Sequence, residues 1–278
     1  MAIDGYQGKD CPIAFGGSFI TRAQTFEFNR NKPTEERYEL GNAQPTGVLQ
    51  RAFEYTGRLV WNPIGVQVEN FFAGLTESGS LVSWKQMCEL AVGMPLVSPK
   101  GGLQEAICTG LEYSVRVGGD FQATATIMGN GWHSGSAYTA TAPSGVPAYE
   151  AKDVHVTVNE VPSARAQGVT ARVNVRPDRL YELGDADPIR TARDRISASC
   201  EIDWVESDSL AGLVTALTNE APGDIVIDVD SKILIEMKDM VWESEGGRDN
   251  VNGFATRRAT YRSKTDAAYW GLHIIKNP

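Results

Sequence analysis

Residues 37–61 read RYELGNAQPTGVLQRAFEYTGRLVW, and residues 180–204 read LYELGDADPIRTARDRISASCEIDW. The two stretches align without a gap at one constant offset. Tyr38-Glu39-Leu40-Gly41 falls on Tyr181-Glu182-Leu183-Gly184, and Ala43, Pro45 and Trp61 fall on Ala186, Pro188 and Trp204. Working outward at the same offset, Arg22-Ala23-Gln24 falls on Arg165-Ala166-Gln167 and Asn31 on Asn174. That makes 11 identities in the 40 positions Arg22–Trp61, where average residue usage would give roughly two or three by chance. Apolar parity is kept as well. Phe53, Tyr55, Leu59 and Trp61 alternate in the first stretch; Ile196, Ala198, Cys200, Ile202 and Trp204 alternate in the second. A period of two is the mark of a strand with one buried face. The chain therefore reads as two copies of one β-rich unit.

Length agrees: 278 residues accommodate two domains of ordinary size. At 42% hydrophobic and 22% charged residues, the composition is that of a globular protein. Formal net charge is −9. Residues 1–150 carry 10 basic and 14 acidic residues and the remainder 16 and 21, so the acidity is spread over both halves. An acidic surface argues against tight phosphate binding, which needs clustered Lys and Arg, but does not exclude a surface past which nucleic acid slides without sticking. No apolar run approaches the ~18 residues of a spanning helix. The start, MAIDGYQGKD, lacks a charged-then-apolar leader, so residence in the cytosol of synthesis, away from membrane, is expected. Cys11, Cys88, Cys108 and Cys200 show no CxxC spacing and are expected to be reduced, mostly buried thiols. His133, His155 and His273 are too far apart in sequence to suggest a local metal site. No metal or cofactor is expected.

Taken in order, the pattern predicts a short strand at Pro12–Phe15, a strand at Thr25–Asn29, a polar loop at Arg30–Glu36, and a strand from Arg37. A turn follows at Gly41–Pro45, then a long strand at Val48–Trp61. Asn62–Ser80 is an insertion relative to the second copy. Leu81, Trp84, Cys88 and Ala91 have helical spacing behind Ser80 as N-cap, with Gly93 and Pro95 ending the run. Strands at Ile107–Val117 and Phe121–Ile127 flank the hairpin signal Gly118-Gly119-Asp120. Gly129–Ala151 has no period and reads as a connection. The second copy repeats the order. Strands carry Val154–Val158, Val169–Val175, Tyr181–Leu183 and Ile189–Val205. A helix over Leu210–Leu217 follows Ser209, then strands at Asp224–Val229 and Lys232–Val241, a polar loop at Ser244–Gly253, and strands at Phe254–Arg262 and Ala268–Ile275. The expected organisation is a first unit over 1–130 with an N-terminal arm, a linker over 131–150, and a second unit over 151–278 with a C-terminal arm. Each unit is expected to be a curled antiparallel sheet or sandwich with one short α-helix, a mainly β fold.

Motifs with chemical meaning are few. Gly118-Gly119-Asp120-Phe121 resembles the signature of cyclic-dinucleotide synthases, but the Glu between Asp and Phe is missing and the glycines sit where a hairpin turn is expected. Asp224, Asp228 and Asp230 have the look of a calcium run, yet their spacing around Ile225, Ile227 and Val229 puts them on the wet face of a strand. Trp61 and Trp204 are expected to close the core of each unit, with an interface anchor as the other reading. No grouping of nucleophile, base and oxyanion donors stands out.

The order strand, polar loop, Tyr-Glu-Leu-Gly-Asx-Ala-x-Pro, long strand, helix and closing hairpin, written twice, resembles the tail tube (major tail) protein of long-tailed bacteriophages. Contractile-tail tubes and the type VI secretion tube share that fold. The resemblance covers residues ~10–128 and ~151–275 and rests on element order and duplication more than on the motif itself. It implies a virion structural protein without catalysis, made in the bacterial host cytoplasm. It also implies trimeric rings with pseudo-sixfold symmetry, stacked into a conduit for DNA that passes without specific binding. The partners implied are further copies of the chain and other tail proteins. Contacts between rings are implied at Arg30, Lys32, Glu35 and Glu36, at Arg176, Asp178 and Arg179, and in the arm Met1–Gly17 and the tail Gly271–Pro278. A tail hub or distal-tail protein capping a tube is an alternative on the same fold. A cytosolic β-sandwich enzyme or sugar-binding protein is an alternative of another class, and calls for a pocket of convergent polar groups.

Overall fold

The described parts of both quoted stretches form hydrogen-bonded strands, and they do so in the same register. The computed structural model describes residues 13–15, 18–19, 23–32, 34–38, 40, 44–50, 53–63, 88–92, 100–129, 131–135, 148–162, 166–180, 190–205, 222–248, 255–263 and 273–276. The first half contains β1 (Ile13–Phe15), β2 (Ser18–Phe19), β3 (Ala23–Asn31), β4 (Thr34–Arg37), β5 (Gly47–Gln50), β6 (Glu54–Trp61), β7 (Cys88–Val92), β8 (Lys100–Arg116), β9 (Gln122–Gly129) and β10 (Gly131–Gly135). The second half contains β11 (Val154–Val158), β12 (Val161–Pro162), β13 (Ala166–Leu180), β14 (Arg190–Val205), β15 (Gly223–Val229), β16 (Ile233–Arg248), β17 (Thr256–Ser263) and β18 (His273–Lys276). The fold is mainly β, and every pairing between these strands is antiparallel.

The two halves share one strand order. The first runs β3-β6-β9-β8-β7-β1-β2 with β10 beside β8; the second runs β13-β14-β17-β16-β15-β11-β12 with β18 beside β16. The correspondence extends to single residues. In β3–β6, Ala23 faces Trp61 and Thr25 faces Val60 across a bulge. In β13–β14, Ala166 faces Trp204 and Gly168 faces Asp203 across a bulge, at the same offset that aligns the two sequence copies. The bulge at Cys108/Gly110 on β8 recurs at Trp242/Ser244 on β16, and that on β8 opposite Cys88/Leu90 recurs on β16 opposite Gly223/Ile225. A bulge breaks the ladder locally and bends its strand, so three bulges at matching points give the two halves the same bends. The offset is 143 from Trp61 to Trp204 and 135 from Cys88 to Gly223, so the first half is longer by eight between β6 and β7.

Alternation explains the core. β6 and β9 have every second residue buried, among them Tyr55, Leu59, Trp61, Ala123, Ala125 and Ile127. In the second half Ala198, Cys200, Ile202, Trp204, Ile225, Ile227 and Val229 are buried in the same way. Trp61 and Trp204, at 2% and 0% exposure, close these faces as expected. All belong to one continuous apolar cluster. Turn chemistry fits the ladder. Asn159 and Glu160 hold φ of 49° and 66° between Val158 and Val161, as a two-residue hairpin turn requires. The matching pair Phe15 and Ser18 in the first half flanks Gly16-Gly17. Gly118, at φ 80°, turns β8 into β9.

Several expectations need correction. Cys88 and Ala91, read as the end of a helix, lie in strand β7, which is hydrogen-bonded to β1 on one side and β8 on the other. Cys88, Leu90 and Val92 also satisfy a period of two, and the flanking ladders decide between the periods. The remainder of that helix and the Leu210–Leu217 helix lie outside the described residues. Arg30–Glu36 is not a loop: β3 continues to Asn31, and β4 pairs with β5. Thr34 faces Gln50 as Pro177 faces Arg193 in the long β13–β14 hairpin, so the same projecting hairpin occurs in both halves. Ser244–Arg248, read as loop, belongs to β16 and pairs with β17. The start of the expected linker is strand β10, which continues the line of β9 along β8. Gly41–Ala43, Tyr181–Leu183, the arm 1–12 and most of the terminal stretch 268–275 lie outside the described residues.

Candidate functional site

A strand has two edges, and a sheet ends where one edge finds no partner. β8 is long enough to serve two sheets. On one side lie β10 and β9, in that order along its length. On the other side its first part pairs with β7 and its last part with β13. The β8–β13 ladder therefore joins the two halves. Its register runs from Gly168 opposite Arg116 to Asn174 opposite Gly110. On the buried face Val115, Tyr113 and Leu111 meet Val169, Ala171 and Val173, all buried. On the opposite face Arg172 Nε donates to Glu112 Oε2 at 2.6 Å, and its Nη1 donates to Glu201 on β14. Arg258 on β17 continues the ladder, donating to both carboxylate oxygens of Asp203 at 2.6 and 2.9 Å. The hydrogen bond to Glu112 is the chief cause of the upward displacement of the Arg172 guanidinium pKa.

Among the edges left open in the described residues, two are counterparts of the internal junction. Among the described strands β3 pairs with β6 alone, and the part of β16 beyond Met240 pairs with β17 alone. These two segments are the counterparts of β13 and of the end of β8, the strands joined at the internal ladder. On β3, Glu27 and Arg30 are exposed; on β16, Glu243 and Glu245 are exposed. The Arg30 guanidinium lies 4.1 Å from the centre of the Phe53 ring, and Lys32 Nζ lies 5.0 Å from it.

The residues expected to contact a neighbouring ring fall in two places. Glu35 and Glu36 on β4 occupy the positions matched by Asp178 and Arg179 on β13, in the distal part of the projecting hairpins. Arg176 sits at the bulge where the second hairpin begins, and Lys32 follows the end of β3. Arg30 stands apart: it lies within β3, at the position matched by buried Val173. Beyond the hairpin strand, Tyr38 and Leu40 of the repeated motif are exposed, and the Tyr38 hydroxyl donates to Glu36. Sequence reasoning placed Glu245 in a loop, because Ser244-Glu245-Gly246-Gly247 has the composition of one and its strand character depends on pairing with β17.

Elsewhere the chemistry is quiet. A cavity of about 440 Å³ beside the junction is lined in part by Glu112, Arg116, Asp120 and Arg172, of which Glu112 and Arg172 bond each other. Asp228 Oδ1 accepts from the Ser231 backbone, and Asp224 Oδ1 from that of Asp239. Among the described residues there is no cluster of metal-ligating side chains. Cys108 and Cys200 are buried free thiols whose pKa burial pushes up. A raised folded-state pKa means that the folded form keeps protons the unfolded form releases. This stability is therefore present below the ordinary thiol value of 9.0 and is lost as pH rises above it. Urea unfolding is expected to show stability falling above about pH 9, and a Cys108→Ala/Cys200→Ala double variant should show a shallower fall. An equal slope in both proteins would remove the thiols as its cause.

No known family's sequence profile matches this chain, and no curated protein matches it. Among solved structures, the chain is similar to a component of the "Virion of native gene transfer agent (GTA) particle", at 13% identity and a TM-score of 0.35. That alignment covers 46% of this chain and 98% of the other.

Proposed function

We propose that this chain is a structural subunit of a phage-type tail tube, built from two copies of one sheet unit and without catalytic function. The observation that carries the reading is the β8–β13 ladder. It joins two halves of identical strand order and leaves the two counterpart edges, β3 and the end of β16, open at the extremities. A junction repeated from the second half of one chain to the first half of the next is heterologous, and closes into a ring if the rotation suits. Three chains then supply six units around a bore. Stacked rings form the conduit, and the projecting β4–β5 and β13–β14 hairpins, with Glu35, Glu36, Arg176, Asp178 and Arg179, reach the next ring. The net charge of −9 suits a bore through which DNA passes without sticking. In this reading the units span 1–135 and 151–278, the first extended by β10.

Concentrated protein viewed by negative-stain microscopy is expected to give rings or tubes with pseudo-sixfold symmetry. A monodisperse monomer at high concentration, indifferent to other tail proteins, would end the proposal. The second reading, a hub or distal-tail protein, draws on the extra length of the first half between β6 and β7, which makes the two units unequal in length. Copy number separates the two: many chains per virion for a tube, one ring for a hub.

A further inference from the structure

The internal ladder predicts its intermolecular counterpart residue by residue. Moving β13 back by 143 and β8 forward by 134, the offsets set by their own pairings, converts the β8–β13 register into one between β16 and β3 of a second copy. Gly110 opposite Asn174 becomes Ser244 opposite Asn31. Leu111 opposite Val173 becomes Glu245 opposite Arg30. Glu112 opposite Arg172 becomes Gly246 opposite Asn29, and Ser114 opposite Thr170 becomes Arg248 opposite Glu27.

We propose that β3 of one chain adds to the end of β16 of a second copy in this register, selected by the charge pairs Arg30–Glu245 and Glu27–Arg248. The inference rests on the ring assembly proposed above and supplies its contact. None of these pairs is needed to fold the chain, yet both come out with opposite charges directly across the ladder, the arrangement that stabilises cross-strand neighbours. The internal junction differs at this point. There the matching position is apolar and buried, Leu111 on Val173. Here it is ionic, and both Arg30 and Glu245 are exposed in the single chain. An apolar pair would leave a sticky edge on every unassembled subunit; charges keep the edge wet until the right partner arrives. Arg30 is also pre-positioned, with its guanidinium 4.1 Å from the centre of the Phe53 ring. Glu27 faces Arg58 on β6, so one arginine already stands beside it within the chain.

The test uses full-length chain and two independent arms. In the first, Arg30→Glu and Glu245→Arg are made singly and together, and the concentration at half-assembly is read by mass photometry at low salt. Each single variant is expected to raise it about tenfold, because like charges then face each other, and the double variant to return it to near the parent value. In the second arm Asn29→Cys and Gly246→Cys are combined and oxidised. A Cβ at Gly246 meets nothing within 4 Å, so the substitution is tolerated sterically. Residues directly opposite in an antiparallel ladder have Cα atoms about 4.5–5.5 Å apart, within disulfide reach. Linked dimers and higher ladders are expected above the parent's background, and Asn29→Cys with Ser244→Cys is expected to give none. Assembled protein with no 29–246 linkage, or a double charge swap no better than the single ones, overturns this register and leaves the ring proposal standing. Parent protein that forms no assembly overturns both. The cysteine arm leaves every charge in place, so a misfolded charge variant does not protect the inference.

Discussion

Trp204→Ala is expected to lower the free energy of unfolding by about 3–5 kcal/mol, the range for large-to-alanine truncation of a fully buried aromatic. Trp204 is 0% exposed on β14, opposite Ala166 and Arg257. Its loss leaves a cavity that neighbouring backbone cannot fill, because the strand is hydrogen-bonded to β13 and β17 on its two edges. Trp61→Ala is the companion. It faces Ala23 and Ala123 at the corresponding points of the first half. Urea unfolding followed by circular dichroism measures both. A loss below ~1 kcal/mol for either would mean that its tryptophan does not close the core, and the interface-anchor reading would then gain ground.

Leu111→Glu is expected to destabilise the chain by about 3 kcal/mol or more at neutral pH. Leu111 is 1% exposed and opposite Val173, which is 3% exposed, so a carboxylate placed there has neither water nor a counter-charge. Burial would raise its pKa, and the carboxyl is cheaper to bury when protonated. The destabilisation should therefore shrink as pH falls from that raised value towards ~4.3, the carboxyl's unfolded value, and stay level below it. Leu111→Met, close to volume-conserving, should cost less than ~1.5 kcal/mol. Adding Val173→Arg to Leu111→Glu rebuilds inside the chain the pair that Glu245 and Arg30 are proposed to make between chains, and should recover part of the loss. If Leu111→Glu unfolds no more easily than Leu111→Met, the two halves are not held together through this face.

Much of the fold was open to sequence reading for a simple reason. Burial on one face of a strand writes a period of two into the chain, and this is visible at Tyr55–Trp61, Ala198–Trp204 and Ile225–Val229 without knowledge of any partner. The identities between the two copies located strands that share register and bulge. Where the reading failed, two periods overlapped or composition misled. Cys88 to Ala91 fits both 3.6 and 2, and the ladders to β1 and β8 decide it. Ser244–Arg248 is too polar and glycine-rich to announce a strand, and only its pairing with β17 makes it one.

Apolar alternation, the matching stretches and the two core tryptophans are local properties, carried by residue type and spacing, and so the chain's β class stands in the letters. Which edge meets which is not local. Backbone donors and acceptors are the same at every residue, so the backbone of Gly110–Arg116 does not name Gly168–Asn174 as its partner; Glu112 and Arg172 pair once the strands meet. In the folded chain β8 is paired with β9 along one side and with β7 over part of the other, and the remaining length is paired with β13. The same geometry leaves β3 and the end of β16 with one partner each among the described strands.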